Sequence, residues 1–185
     1  MKAVPVLTST LAFALTCLAS VGSRHWVQPE MSQKPNFSGA WKPDPSKTTR
    51  KRTLKDTAQK DLSPPPPPDD DDEGLPTITI QHQDPKFSET TTSADGEDVS
   101  ISNLTTDGQE NTNPVDEGNT YNKSKSHWEG AKLVTEWVIE QYGRPIAKGT
   151  DVRYLLDDGK NMAVDRRVET DAAVIEVHQA FVRVK

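Results

Sequence analysis

Apart from Cys17 the chain contains no cysteine. If that residue leaves with an N-terminal leader, the remaining chain has neither a thiol nucleophile nor a disulfide, and its fold must stand on packing and strand pairing. Also missing are a Gly-x-Ser-x-Gly elbow, a glycine-rich phosphate cradle and a His-Glu-x-x-His pair, so the commonest hydrolase, nucleotide-binding and zinc-protease frameworks are excluded. His25 lies in the N-terminal tail, while His82, His127 and His178 stand singly on separate segments. Nothing in that spacing suggests the three or more converging ligands of a zinc site, and no metal or other cofactor is expected. The adjacent carboxylates Asp157 and Asp158 fall in a turn, where both stay solvated. The chain therefore reads as a non-enzyme.

A basic excess is absent too. Against 22 Lys and Arg stand 28 Asp and Glu, a net charge of -6, and mean hydropathy is -0.74. That balance argues against nucleic acid or an anionic membrane surface as partner, although it leaves room for a cationic pocket inside. With 185 residues and 32% apolar content, one domain with a leader and a linker is what the chain can build, and a monomer is the simplest expectation.

The leader is residues 1–23. Lys2 precedes an apolar run from Ala3 to Leu18, followed by Ala19, Ser20, Gly22 and Ser23. The run is short and rich in hydroxyl residues, as in a secretory signal peptide cleaved after Gly22 or Ser23, with no membrane span once it is gone. Lipidation at Cys17 and an uncleaved anchor are the alternatives; Ala14-Leu15-Thr16 makes a poor lipobox. The protein is accordingly expected to be secreted or periplasmic, with an N-terminal tail at 24–35 and one β domain at 36–185.

Within that domain the composition changes between Lys47 and Gly74. A basic run (Lys47, Arg50, Lys51, Arg52, Lys55) leads to Pro64–Pro68 and then to Asp69–Asp72 and Glu73. Five prolines favour an extended rod and five successive carboxylates repel one another, so 47–74 is expected to be a solvated insert, with a short helix possible around Leu54 to Leu62.

Elsewhere, short alternating segments are separated by turn pairs, Asp95-Gly96, Asp107-Gly108, Glu129-Gly130 and Asp158-Gly159. Such pairs supply the positive φ of tight hairpins. Nine strands are expected: Phe37 to Lys42, Thr77 to Gln83, Phe87 to Ser93, Asp98 to Thr105, Thr120 to Trp128, Lys132 to Gln141, Thr150 to Leu156, Asn161 to Thr170 and Ala172 to Val184. An antiparallel meander of that many strands removes its edges by closing into an up-and-down barrel, with an open sheet or sandwich as the alternative.

The segment Asn36-Phe37-Ser38-Gly39-Ala40-Trp41-Lys42, followed by Pro-Asp-Pro-Ser-Lys, resembles the opening of secreted bacterial proteins with a lipocalin-like, or calycin-like, β-barrel. Lipocalins and fatty-acid-binding proteins share a Gly-x-Trp near the start of the first strand, matched here by Gly39 and Trp41. The resemblance implies a lipocalin-like barrel over 36–185, with Trp41 closing one end.

Period-two alternation assigns the faces. Ile78, Ile80 and His82 share one; Val99 and Ile101 another; Leu133, Thr135, Trp137 and Ile139 a third, continued by Val152, Tyr154 and Leu156. The last strand has apolar residues on both faces, as a central strand paired with the first would, with Arg183 at a wet rim. Strand Thr120 to Trp128 has no apolar face: Tyr121, Lys123, Lys125 and His127 alternate with Asn122, Ser124, Ser126 and Trp128. Whichever side turns inward makes the interior partly polar, as a ligand cavity requires. Arg166 likewise interrupts the apolar row Met162, Val164, Val168. Fatty-acid-binding proteins hold a carboxylate with interior arginine and tyrosine, for which the nearest analogues are Arg166, Arg153 and Tyr154, though none sits in that family's Arg-x-Tyr pattern. The bland alternative puts Arg153, Arg166 and Arg167 on a solvated face, paired with Asp151, Asp165 or Glu169. The candidate ligand-binding residues are Trp137, Tyr154, Arg166 and Lys125, for a small apolar or amphipathic ligand. The competing expectation is a filled barrel that works through its surface.

Overall fold

The computed structural model describes residues 34–55, 74–116 and 118–184. The leader, most of the tail and the Pro/Asp run lie outside the described residues. The strands are β1 (Gly39–Pro43), β2 (Thr49–Leu54), β3 (Thr77–Gln83), β4 (Lys86–Thr92), β5 (Val99–Thr105), β6 (Glu110–Pro114), β7 (Thr120–Glu129), β8 (Lys132–Gln141), β9 (Arg144–Leu156), β10 (Asn161–Thr170) and β11 (Ala173–Arg183). They form one antiparallel sheet in the order β5-β4-β3-β1-β11-β10-β9-β8-β7-β6, with β2 on β11 beside β1. The result is an up-and-down barrel, nearly closed.

Each Asp-Gly or Glu-Gly pair marks a turn, and Gly96, Gly108, Gly130 and Gly159 have φ between 61° and 83°, a region that glycine enters without steric cost. Two strands lie where none was expected. In β2 (Thr-Arg-Lys-Arg-Thr-Leu) all six residues are exposed, so alternation could not reveal it; the ladder from Thr49 opposite His178 to Leu54 opposite Ala173 holds it. The expected solvated insert thus begins with a strand, Leu54 closes that strand instead of opening a helix, and 56–73 is outside the described residues. In β6 (Glu-Asn-Thr-Asn-Pro) strand propensity is low, and pairing with β7 compensates.

The sheet's two ends, β5 and β6, run side by side without a backbone ladder. Asn113 bridges them. Its side chain accepts from the Asn103 N–H at 2.9 Å and donates to the Asn103 carbonyl at 2.8 Å, so one amide stands in for two ladder bonds.

The apolar core plugs the end of the barrel at which β3–β4, β7–β8 and β9–β10 turn. It comprises Phe37, Trp41, Ile80, Phe87, Leu133, Met162, Val164 and Phe181. Trp41 is fully buried and its indole N–H donates to the Phe37 carbonyl at 3.0 Å. Arg183 does not occupy a wet rim. It pairs with Trp41 across β1 and β11, its guanidinium lies 4.3 Å from the indole centroid, and it donates to the carbonyls of Ser38 (2.6 Å) and Gly159 (2.9 Å). Gly39 makes this possible: φ is 141°, and a Cβ there would run into the Arg183 guanidinium. The Gly-x-Trp motif is therefore a glycine that admits an arginine and a tryptophan that receives it.

Register decides the faces. Ile78, Ile80 and His82 point inward as expected, opposite Thr91, Glu89 and Phe87. Val99 and Ile101 do not: they are 57% and 56% exposed, and the inner face of β5 carries Ser100, Ser102 and Leu104. On β9 the inward residues are Asp151, Arg153 and Leu155, opposite Thr135 and Leu133 and Arg166, Val164 and Met162. Val152, Tyr154 and Leu156 face out, contrary to the alternation argument. The reason is an apolar strip on the outside of the sheet, with Val134 and Ala163 buried there and the Lys132 ammonium 5.1 Å from the Tyr154 ring.

Trp41→Ala is expected to cost about 3 to 5 kcal/mol by removing the plug. Denaturant titration checks this, and an unchanged midpoint would show that the ring does not close the barrel.

Candidate functional site

Above the plug the interior turns polar, because the inward residues of β4, β5, β7, β9 and β10 one or two pairs further along their strands are Glu89, Ser102, Asn122, Ser124, Asp151 and Arg166. They surround a cavity of about 250 Å³, whose wall also includes Leu104, Thr135, Trp137, Ile139 and Arg153.

Two ion pairs organise the wall. Arg166 donates from Nε (2.9 Å) and Nη2 (2.6 Å) to the two carboxylate oxygens of Asp151, a bidentate geometry that fixes both groups. Trp137 Nε1–H donates to Asp151 at 3.0 Å. The hydrogen bond to Asp151 pushes the Arg166 pKa above its ordinary value. Arg153 is 7% exposed; its Nη2 lies 2.5 Å from Glu89 across the barrel, and its guanidinium carbon lies 5.0 Å from the Phe87 ring centroid. In two of the wall residues one polar atom, Arg153 Nε and Asn122 Oδ1, is buried without a partner.

Of the residues singled out in the sequence, Trp137 and Arg166 meet on this wall. Lys125 and Tyr154 do not. Lys125 is exposed on the outer face of β7, 3.5 Å from Glu110, and Tyr154 on the outer face of β9 donates to Asp165 at 3.1 Å. Arg167 lies outside, 3.6 Å from Glu176, as the solvated-face alternative has it, whereas Arg153 and Arg166 turn inward. Glu89 and Gly149 were missed. Gly149 pairs with Trp137, and a Cβ there would strike the indole; an isolated glycine at the head of an alternating run signals such close approach. Glu89 sits in a Thr/Ser-rich strand and carries no sequence signal of burial.

Beneath the cavity His82 packs against Phe37, Phe87 and Trp128, at 5.4 to 6.0 Å between ring centroids. Its Nδ1 accepts the Phe37 N–H at 3.4 Å. Burial pushes its pKa below 6.5, against the opposing pull of Asp84. Asp84 accepts from the Thr106 hydroxyl, from Lys34 at 2.9 Å and from the Trp128 indole at 3.1 Å. Those bonds, the Thr106 hydroxyl's first, bring its pKa down to about 2.

No protein-family model and no curated protein matches the chain. Solved structures match its fold. Zebrafish ileal bile acid-binding protein complexed with cholic acid superposes with a TM-score of 0.50 at 15% identity, over 80% of this chain and 98% of that one. A Schistosoma mansoni fatty acid binding protein in complex with arachidonic acid gives 0.46 at 16%, over 80% and 96%, and Echinococcus granulosus fatty-acid-binding protein 1 gives 0.47 at 10%, over 80% and 98%. The fold is the calycin-like up-and-down barrel. In this chain the barrel's interior carries two arginines and two carboxylates rather than a continuous apolar lining.

Two outcomes follow from these groups. Arg153→Met should cost about 2 to 3 kcal/mol by stranding Glu89, somewhat less than for a fully buried pair because the Glu89 side chain keeps 23% of its exposure; adding Glu89→Leu should recover most of that loss in a double-mutant cycle. For pH, the unfolded chain takes a proton at His82 near 6.5 while the folded chain resists it. Stability should therefore fall as pH drops below that value, and His82→Gln should flatten this limb. A second loss should come between 3.8 and about 2 as Asp84 protonates. Urea titrations across pH check both.

Proposed function

We propose that this chain is a non-catalytic binding barrel that holds a small amphipathic molecule in its interior, and that it is exported by its leader. The observation that carries the reading is the interior cavity of about 250 Å³, partly open to solvent, in which Leu104, Trp137 and Ile139 face Arg153, Arg166 and a row of serine and amide groups. Apolar walls with a few placed polar groups are what a small-molecule site consists of. The volume lies just under the usual range of roughly 300 to 1,000 Å³ for such sites, which points to a compact ligand.

Catalysis is disfavoured by the same geometry. Asp151 accepts three hydrogen bonds and Glu89 is held by Arg153, so neither carboxylate is left to take a proton from a reacting group. The fold likeness to an ileal bile acid-binding protein in complex with cholic acid is compatible with interior binding, but the cavity of this chain carries the proposal. Export rests on the composition of residues 1–23.

Native mass spectrometry of the protein purified from its own host tests the reading. One retained small molecule per chain, quenching Trp137 fluorescence on re-addition to stripped protein, is the expected result. A clean apo mass together with no quenching by any extract fraction would favour a barrel filled by its own ion pairs.

A further inference from the structure

Strand β2 has a neighbour on one side. Its ladder is with β11, from Thr49 opposite His178 to Leu54 opposite Ala173, and Lys55 extends it by donating to the Ala172 carbonyl at 3.0 Å. On its other side no described residue pairs with it. All six of its residues are exposed, and Arg50, Lys51, Arg52 and Lys55 make this edge basic. Cations on a free edge can serve simply to repel unwanted strands. That role would not require an acidic run further along the same insert, yet the registers of β1, β3 and β11 bring the two together.

Strands β3 and β11 flank β1 and both run antiparallel to it, with Trp41 opposite Ile78 on one and Arg183 on the other. Ile78 and Arg183 are therefore level. After the turn at Pro45–Lys47, β2 takes the place of β1 beside β11. Followed back without a bulge, the line of β3 puts Glu73 level with His178, Asp72 with Val177, Asp71 with Glu176, Asp70 with Ile175 and Asp69 with Val174. The β2 partners of those β11 residues are Thr49, Arg50, Lys51, Arg52 and Thr53. The five carboxylates thus fall on the basic strand with none left over, Asp72 opposite Arg50, Asp71 opposite Lys51 and Asp70 opposite Arg52. Pro68 falls opposite Leu54, where β2 ends, and proline has no N–H with which to continue a ladder. Gly74 already keeps to this line: a Cβ there would lie 3.2 Å from the Ala94 side chain, continuing the β3–β4 pairing past Thr77 opposite Thr92.

We propose that the free edge of β2 is a docking strand and that its occupant is the chain's own acidic tract, 69–73, added antiparallel in that register. Opposite charges directly across an antiparallel pair attract, and three successive cations of β2 each have a carboxylate across from them. A second copy offering its own β2 is the poorer occupant, because basic residues would then face basic residues. Docking of the tract also covers an edge that would otherwise be open to other chains.

Disulfide trapping on the full chain tests the register, after the only cysteine is removed by Cys17→Ser. Directly opposite residues have Cα atoms about 4.5 to 5.5 Å apart, within disulfide reach, whereas a shift of two residues carries them beyond about 7 Å. Lys51→Cys with Asp71→Cys should therefore form an intrachain disulfide at least about tenfold faster than Lys51→Cys with Asp69→Cys, which removes the same charges. Adding Asp70→Arg and Asp72→Arg to the faster pair should abolish its advantage, and adding Arg50→Asp and Arg52→Asp as well should restore it. Equal rates for the two cysteine pairs, or a rate indifferent to the charge reversal, would overturn the proposal. A disulfide that forms only between chains would overturn it in favour of exchange between copies. Should the charge-reversed variants fail to fold, the comparison of the two cysteine pairs decides alone.

Discussion

The pairing of the first strand with the last is the contact on which the barrel depends. Every neighbouring pair from β3 to β5 and from β6 to β11 is a hairpin or near-hairpin, formed between residues close in sequence, whereas β1 and β11 join residues some 140 positions apart, Trp41 opposite Arg183. Without that join the two halves of the sheet would be separate, each with exposed edges open to further pairing. Its long loop closure must be offset by contacts that only the closed state makes. The stack of Arg183 on Trp41, the two carbonyls that hold the guanidinium, and the burial of Phe37, Trp41 and Phe181 meet that requirement in one place.

Once the lower end is plugged with aromatic and aliphatic side chains, the rest of the interior need not be apolar. Here it contains two ion pairs, one between the neighbouring strands β9 and β10 and one across the lumen. Such pairs add little net stability, since desolvating four charges costs about as much as their attraction returns. They do specify geometry, because Arg166 meets Asp151 through two bonds and Asp151 in turn fixes the Trp137 indole. Arg153 reaches across the lumen from β9 to Glu89 on β4, tying opposite walls together near the slot that Asn113 seals between β5 and β6. A cavity framed in this way has fixed dimensions and a fixed hydrogen-bonding pattern, the conditions under which a site discriminates between ligands of similar size.

Much of the barrel was legible because its signals are local. Asp-Gly and Glu-Gly pairs marked four of the turns, and the Gly-x-Trp motif marked the plugged end. The faces were less legible. Val152 and Tyr154 alternate as a core strand would, yet the core side of β9 is Asp151, Arg153 and Leu155, because this sheet buries Val134 and Ala163 on its outside as well. Trp137 and Arg166 could be placed inside from their own strands, which have a clear apolar majority on one face. Lys125 could not, since neither face of β7 is apolar, and the pairing of Ser126 with Thr135 and Ser124 with Trp137 sends its serines inward and its lysines out.

From the amino-acid sequence alone come the all-β class, the number and kind of most turns, the polar character of one strand and the position of the Gly-x-Trp plug, since each rests on backbone preference or on spacing within a few residues. Only the tertiary structure decided that β2 and β6 are strands, that Arg183 covers Trp41, and that the interior arginines are already matched by Glu89 and Asp151. Those facts depend on register between strands far apart in the chain. A shift of one residue there exchanges the inside and the outside of a strand while leaving its sequence pattern unchanged.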